Sequence, residues 1–170
     1  MNKYLVVVDV QKDFVDGVLG TQEAVAIIPR VKAKIQECLS NGAKVIFTRD
    51  THQKNYLSTN EGKHLPFEHC IEGTDGWQIY DGLLDDRAVV LNKPTFGYLG
   101  WRDYIEDSEY LEIELIGLCT DICVASNALI LKAMFPNAVV SVDSDVCAGV
   151  TPASHEAALT TMRMCQVEVV

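Results

Sequence analysis

Residues 4–9 read Tyr4-Leu5-Val6-Val7-Val8-Asp9: five apolar residues in a row, ended by a carboxylate. An unbroken apolar run of this length has no solvent face, so it predicts a strand covered on both sides, as in a parallel sheet. Downstream, Ile27, Val31, Ile35 and Leu39 recur every fourth residue before Asn41-Gly42, which predicts a helix and its stop. Ala43 to Thr48 reads as a second strand, Ala88 to Leu91 as a third and Leu111 to Ile116 as a fourth. Ile122 to Phe135 reads as a helix ended by Pro136, and Ala138 to Val142 as a fifth strand. Thr151-Pro152 has the form of an N-cap followed by proline at the first helical position, opening a helix to about Met164. Val167 to Val170 closes the series as a sixth strand. Strands alternating with helices predict a three-layer α-β-α sandwich around a six-stranded parallel sheet. No repeat or linker interrupts residues 1–170, so a single domain is expected. Only residues 49–86 lack periodicity, and a stretch so long and so rich in His, Trp and Pro is expected to carry function.

Composition narrows the function classes. The chain has 170 residues, 48% hydrophobic and 22% charged, within the globular range. Fourteen Lys and Arg against 24 Asp and Glu give a net charge of −10, which disfavours binding to phosphate backbones. No apolar run approaches a membrane span, and the first residues lack the form of a signal peptide. A cytoplasmic protein with no nucleic-acid or membrane partner is expected. Six cysteines are too few for a disulfide scaffold, so each is a buried hydrophobe or a working thiol.

In open α/β sheets, ligands bind beyond the carboxyl ends of the strands. Those ends carry Asp9, Thr48-Arg49-Asp50-Thr51-His52, Asn92-Lys93-Pro94 and Gly117-Leu118-Cys119-Thr120-Asp121-Ile122-Cys123. Neither GxGxxG nor GxxxxGK[ST] is present, which argues against a nucleotide. Taken singly, Asp9 could cap a turn, Lys93 could be a solvated loop residue and Cys123 a packing thiol. Together they make a nucleophile site. A helix start favours a thiolate and holds an oxyanion, Lys93 would lower the thiol pKa further, and Asp9 would supply a base. Asp50-x-His52 has metal-ligand spacing, and His69 from the long loop could complete a trio suited to zinc, iron or manganese. His64 has no assignment, and His155 reads as a surface or packing residue.

These motifs resemble the isochorismatase-like cysteine hydrolases, and within them the nicotinamidase/pyrazinamidase group. The resemblance spans essentially the whole chain. It rests on Val8-Asp9-Val10-Gln11-Lys12-Asp13-Phe14, Thr48-Arg49-Asp50-Thr51-His52, His69-Cys70-Ile71-Glu72-Gly73-Thr74, Lys93 and Gly117-Leu118-Cys119-Thr120-Asp121-Ile122-Cys123-Val124. It implies Cys123 as nucleophile, Asp9 as general base and Lys93 as third member of a catalytic triad. It further implies a cis peptide at Leu118–Cys119, with the Cys119 and Cys123 backbone N–H groups forming an oxyanion hole. Phe14 would line the substrate pocket, and Asp50, His52 and His69 would hold one divalent metal ion, zinc first. The implied activity is conversion of nicotinamide to nicotinate and ammonia through a thioester, a step in NAD salvage, by a homo-oligomer.

Two departures stand out. The Trp-Pro-Pro-His of many relatives is replaced by Pro66-Phe67-Glu68-His69, leaving Trp77, Phe67 and Tyr98 as substitutes for the missing ring. A fourth histidine found on the metal side of some relatives has no counterpart, and Ser58 stands near that place. Two alternatives follow: hydrolysis of another small amide or ureide, such as an N-carbamoyl compound, and an inactive metal-binding or regulatory module. The vinyl-ether-cleaving isochorismatase branch does not need the metal trio and fits less well.

Overall fold

The computed structural model describes residues 2–170. Six parallel strands form one sheet in the order β3-β2-β1-β4-β5-β6. They are β1 (Asn2–Val8), β2 (Lys44–Asp50), β3 (Val89–Lys93), β4 (Leu111–Leu118), β5 (Val139–Ala148) and β6 (Glu168–Val169). The helices are α1 (Lys12–Val15), α2 (Gln22–Ser40), α3 (Asn60–His64), α4 (Ala125–Met134) and α5 (Pro152–Met164).

The continuous apolar run of β1 does what its sequence demands. Tyr4, Val6 and Val8 point into one core, with Leu131 of α4 and Leu159 and Met162 of α5. Leu5 and Val7 point into the other, with Ile27, Val31 and Ile35 of α2. Successive side chains of a strand face opposite ways, so an all-apolar strand needs a helix layer on each side. The three-layer sandwich follows. No helix among the described residues is long and apolar enough to cross a membrane.

The elements depart from expectation in three places. β5 runs to Ala148, well past Val142, although Asp143, Ser144 and Asp145 break its apolar pattern. Asp143 is accommodated by Lys34 of α2, whose Nζ lies 3.0 Å from Asp143 and 2.7 Å from Glu114. The helix after β4 opens not as an α-helix but as a wider π-helical turn, Thr120–Val124. The long segment after β2 contains a single 3₁₀ turn, Tyr56–Ser58, and the short α3, whose N-cap Thr59 accepts from the Gly62 N–H.

The strand order changes direction between β1 and β4, because β2 and β3 lie on one side of β1 while β5 and β6 lie beyond β4. Such a switch point opens a crevice at the strands' carboxyl ends. Gly117 sits at this crevice with φ +116, a conformation that disfavours any side chain. A Cβ there would also collide with the Val8 carbonyl oxygen, so glycine lets β4 and β1 close together beneath the crevice.

Candidate active site

Asp9 leaves β1 in a left-handed conformation (φ 48), which turns its side chain across the crevice. Its Oδ1 accepts the Thr48 hydroxyl at 2.6 Å, and its Oδ2 lies 2.6 Å from Lys93 Nζ. Lys93, the last residue of β3, is fully buried. Its ammonium donates to the Thr95 carbonyl at 3.0 Å and to Cys123 Sγ at 3.5 Å, and lies 3.4 Å from Asp50 Oδ1. One lysine therefore touches the carboxylate, the thiol and the first of the acidic groups beyond them. The Leu118–Cys119 peptide is cis, and the turn that follows delivers Cys123 to the buried cluster.

Burial pushes the Cys123 thiol well above its ordinary value, and the neighbouring Asp9 pushes the same way; Lys93 pulls it down without reversing the sum. Burial likewise raises the Asp9 carboxyl, with Lys93 opposing it. Burial would discharge Lys93, but Asp9, Cys123 and Asp50 hold its pKa well above the usual lysine range.

A second group lies at the end of β2. Asp50, His52, Glu61 and His69 each offer a ligand atom, and these atoms lie within 4.8 Å of one another. The His69 Nδ1 is bonded to the Phe67 carbonyl at 2.8 Å, so it carries the proton and leaves Nε2 as a lone pair facing the group. The His52 Nε2 is buried without a hydrogen-bond partner although Asp50 Oδ2 is only 2.9 Å away. Lone pairs converging without hydrogen-bonding one another are what a divalent cation needs. Two imidazoles and two carboxylates suit zinc, iron or manganese. Burial would raise the Asp50 carboxyl, yet the adjoining His52 and the Lys93 charge hold it below the usual range.

Glu61 was not legible as a ligand. It belongs to the five-residue α3 within the aperiodic stretch, and its carboxylate joins the group as a fourth donor. The buried Tyr56 ring packs on both His52 and His69, at 4.6 and 4.9 Å between centroids, and seats the segment leading to α3. His64 bonds the Asn60 carbonyl through Nδ1 and remains outside the group. His155 bonds Thr120 rather than facing solvent, tying α5 to the turn that carries Cys123.

Between the two groups lies a cavity of about 320 Å³. Phe14, Leu65, Phe96, Leu118 and Ile122 give it apolar walls, with Cys119 and Cys123 at one pole and Asp50, Glu61 and His69 at the other. None of the three aromatics expected to replace the missing tryptophan lines it. Trp77 stacks under the Arg49 guanidinium at 3.7 Å, Phe67 projects into solvent, and Tyr98 packs edge-on against Trp101. Phe96 and Leu65 line it instead.

Two buried amides brace the site without lining it. Gln11 donates to the Asp50 and Trp77 carbonyls and accepts the Asp50 N–H at 2.7 Å, adding a side-chain rung where the β1–β2 ladder ends. Asn127 of α4 accepts from the Tyr98 N–H and the Trp101 indole while donating to the Cys123 and Phe96 carbonyls.

A parallel α/β sheet with a buried Asp-Lys-Cys cluster at its switch point, facing a metal-type donor set across an apolar cavity, has the make-up of a cysteine hydrolase. The chain belongs to the isochorismatase family, whose domain model matches residues 3–170. It is similar to the nicotinamidase/pyrazinamidase of Mycobacterium tuberculosis, at 28% identity over 98% of this chain and 97% of that protein. The nicotinamidase of Schizosaccharomyces pombe is 26% identical over 98% of this chain and 91% of its own length. Among solved structures, the pyrazinamidase of Pyrococcus horikoshii in complex with zinc superposes with a TM-score of 0.88. That structure is 27% identical, covering 100% of this chain and 99% of its own.

Proposed function

We propose that this chain is a cysteine amidohydrolase that converts nicotinamide to nicotinate and ammonia. The observation that carries the reading is the buried contact of Asp9, Lys93 and Cys123 at one pole of an apolar cavity whose other pole is the Asp50–His52–Glu61–His69 group. Phe14, Phe96 and Cys123 all line this cavity, so a planar ring held against the two aromatics would bring its amide carbon toward Cys123 Sγ.

Asp9 takes the thiol proton as Sγ attacks the amide carbon. Lys93 stabilises Asp9 in its charged form before this transfer. The Cys119 and Cys123 backbone N–H groups hold the developing oxyanion, where one donor is typically worth about 10²–10³ in rate. Asp9 returns the proton to the departing nitrogen, releasing ammonia and leaving a thioester on Cys123. Water, deprotonated by Asp9, adds to the thioester carbon; the carbon–sulfur bond breaks, the Cys123 sulfur takes the proton back from Asp9, and the acid leaves. A divalent ion held by Asp50, His52, Glu61 and His69 would bind the ring nitrogen or a water and orient the ring. The 170 residues act as one domain, since every group named comes from one sheet and its loops.

The test is ammonia release from nicotinamide by the purified protein and by Cys123→Ala, with metal content measured on the same samples. Release by the parent and none by the variant is expected. Silence from a metal-loaded parent would overturn nicotinamide as substrate and direct the search to other amides and ureides.

A further inference from the structure

We infer that Asp13 is a positioning residue for the metal ligand His69, acting through the backbone of Cys70. The inference rests on the proposed metal role of the Asp50–His52–Glu61–His69 group. Residues 65–75 have no regular secondary structure beyond a single bridge from Ile71 to His52, so the loop does not aim His69 by itself. Cys70, the next residue, is buried and left-handed (φ 46), a conformation that non-glycine residues adopt only when their surroundings hold them there. Both its peptide groups are held. Its N–H donates to Asp13 Oδ2 at 2.7 Å, and its carbonyl accepts the His52 N–H at 2.9 Å. Cys70 thereby links Asp13 of α1 to His52, with His69 fixed one residue before the link.

Asp13 is itself held in place. Its N–H donates to the Gly76 carbonyl at 3.0 Å, and its own carbonyl accepts the Leu19 N–H at 2.9 Å. Its carboxylate fills the space that a Cβ on Gly76 would occupy, so the two positions are matched: an acid at 13 needs a glycine at 76. The adjacent Phe14 packs its ring 5.5 Å from the His69 ring. Consecutive residues of one short helix, three positions after Asp9 turns off its strand, thus set both the loop backbone and the imidazole face. Losing the Asp13 carboxylate would leave a buried N–H unpaired and release Cys70 from its left-handed state. The His69 Nε2 would then no longer converge with the other three ligand atoms.

The experiment is Co²⁺ titration of metal-stripped protein, followed by the visible d–d spectrum, on the parent, Asp13→Ala, Asp13→Asn and Gly76→Ala. Alkylation of Cys123 by iodoacetamide, resolved from the other five cysteines by mass spectrometry, reports separately on the Asp9–Lys93–Cys123 cluster. Asp13→Ala should weaken Co²⁺ binding roughly 10–100-fold, the usual effect of losing a group that orients a ligand, and should alter the spectrum. Asp13→Asn keeps an acceptor oxygen and should stay close to the parent. Gly76→Ala, which displaces the carboxylate while keeping the acid in the chain, should follow Asp13→Ala, and it decides the matter by itself if Asp13→Ala does not fold. Cys123 alkylation should be unchanged throughout. Parental affinity and spectrum in both Asp13→Ala and Gly76→Ala would overturn the inference while leaving the metal reading intact. Loss of thermal stability with an unaltered spectrum would overturn it too, because that is the mark of a merely structural carboxylate. A parent that binds no Co²⁺ would overturn the metal reading and this inference together.

Discussion

Replacing Lys93 by methionine preserves the length of the buried stem and removes its charge. The ammonium sits 2.6 Å from Asp9 Oδ2 with both side chains inaccessible to solvent, so no water can take its place. Removing one partner of such a pair typically costs about 3–5 kcal/mol, and losing the opposing Lys93 charge pushes the Asp9 carboxyl further up. Burial already raises Asp9 and Lys93 is the charge that opposes it, so the variant holds less of the ionised carboxylate that accepts the thiol proton. Ammonia release should fall by roughly 10²–10⁴, the range usual for loss of a general base, and the rising limb of the pH–rate profile should move to higher pH. Stability gives an independent check. A carboxyl whose folded pKa lies above its unfolded value of about 3.9 stabilises the fold below that value, and loses this advantage as pH rises through the folded pKa. Lys93→Met should therefore be most destabilised relative to the parent at pH 8, with the gap narrowing toward pH 5 as Asp9 takes up its proton. The assays are kcat/KM from pH 5 to 9 and urea unfolding at both ends. A variant within tenfold of the parent, with a pH-independent stability gap, would refute the assignment of Lys93 as the charge partner of Asp9.

Three further perturbations probe other parts of the structure. Glu61→Gln removes one carboxylate from the donor group and should weaken binding of a divalent ion by at least about tenfold in a chelator competition; an unchanged affinity would remove Glu61 from the ligand set. Asn127→Ala strands the Tyr98 and Trp101 donors and the Cys123 and Phe96 carbonyls, and should cost about 2–4 kcal/mol in urea unfolding, with ammonia release reduced as well; a cost below 1 kcal/mol would mean the hub is replaceable. Lys34 is partly buried, and although burial alone would lower its pKa, Glu114 and Asp143 raise it well above the ordinary lysine value. Its contribution is complete below the unfolded value of about 10.4 and fades only as pH climbs through the raised one. Lys34→Met should therefore lose about 1–3 kcal/mol equally at pH 7 and pH 9, and a penalty confined to one of the two would contradict this.

What the sequence made legible follows from where each residue sits. Asp9, Asp50 and Lys93 end strands and Cys119 follows one, so apolar runs alone bring them to a shared edge. Cys123 required only the turn beyond β4. The end of β5 was hidden because Asp143 looks like a strand breaker until Lys34, 109 residues away, is brought beside it. Glu61 was hidden for a related reason: a five-residue helix has no periodicity to read, and its approach to His52 depends on the seating of Tyr56. Phe96 lies in the loop after β3, where pattern reading says nothing about direction. Asn127 sits at the start of the largely apolar α4, and its four partners come from two separate stretches of chain, residues 96–101 and the turn at Cys123.

Lys93 closes the strand at the outer rim of the sheet, since β3 has a neighbour on one side only. A rim strand can detach from its single neighbour at less free-energy cost than an interior strand can leave two. Mild denaturant should therefore pull the ammonium away from Asp9 while β1, β4 and both hydrophobic layers remain intact. The protein would lose its chemistry while nearly all of its circular dichroism survives, so catalysis reports on the attachment of one peripheral strand rather than on global folding.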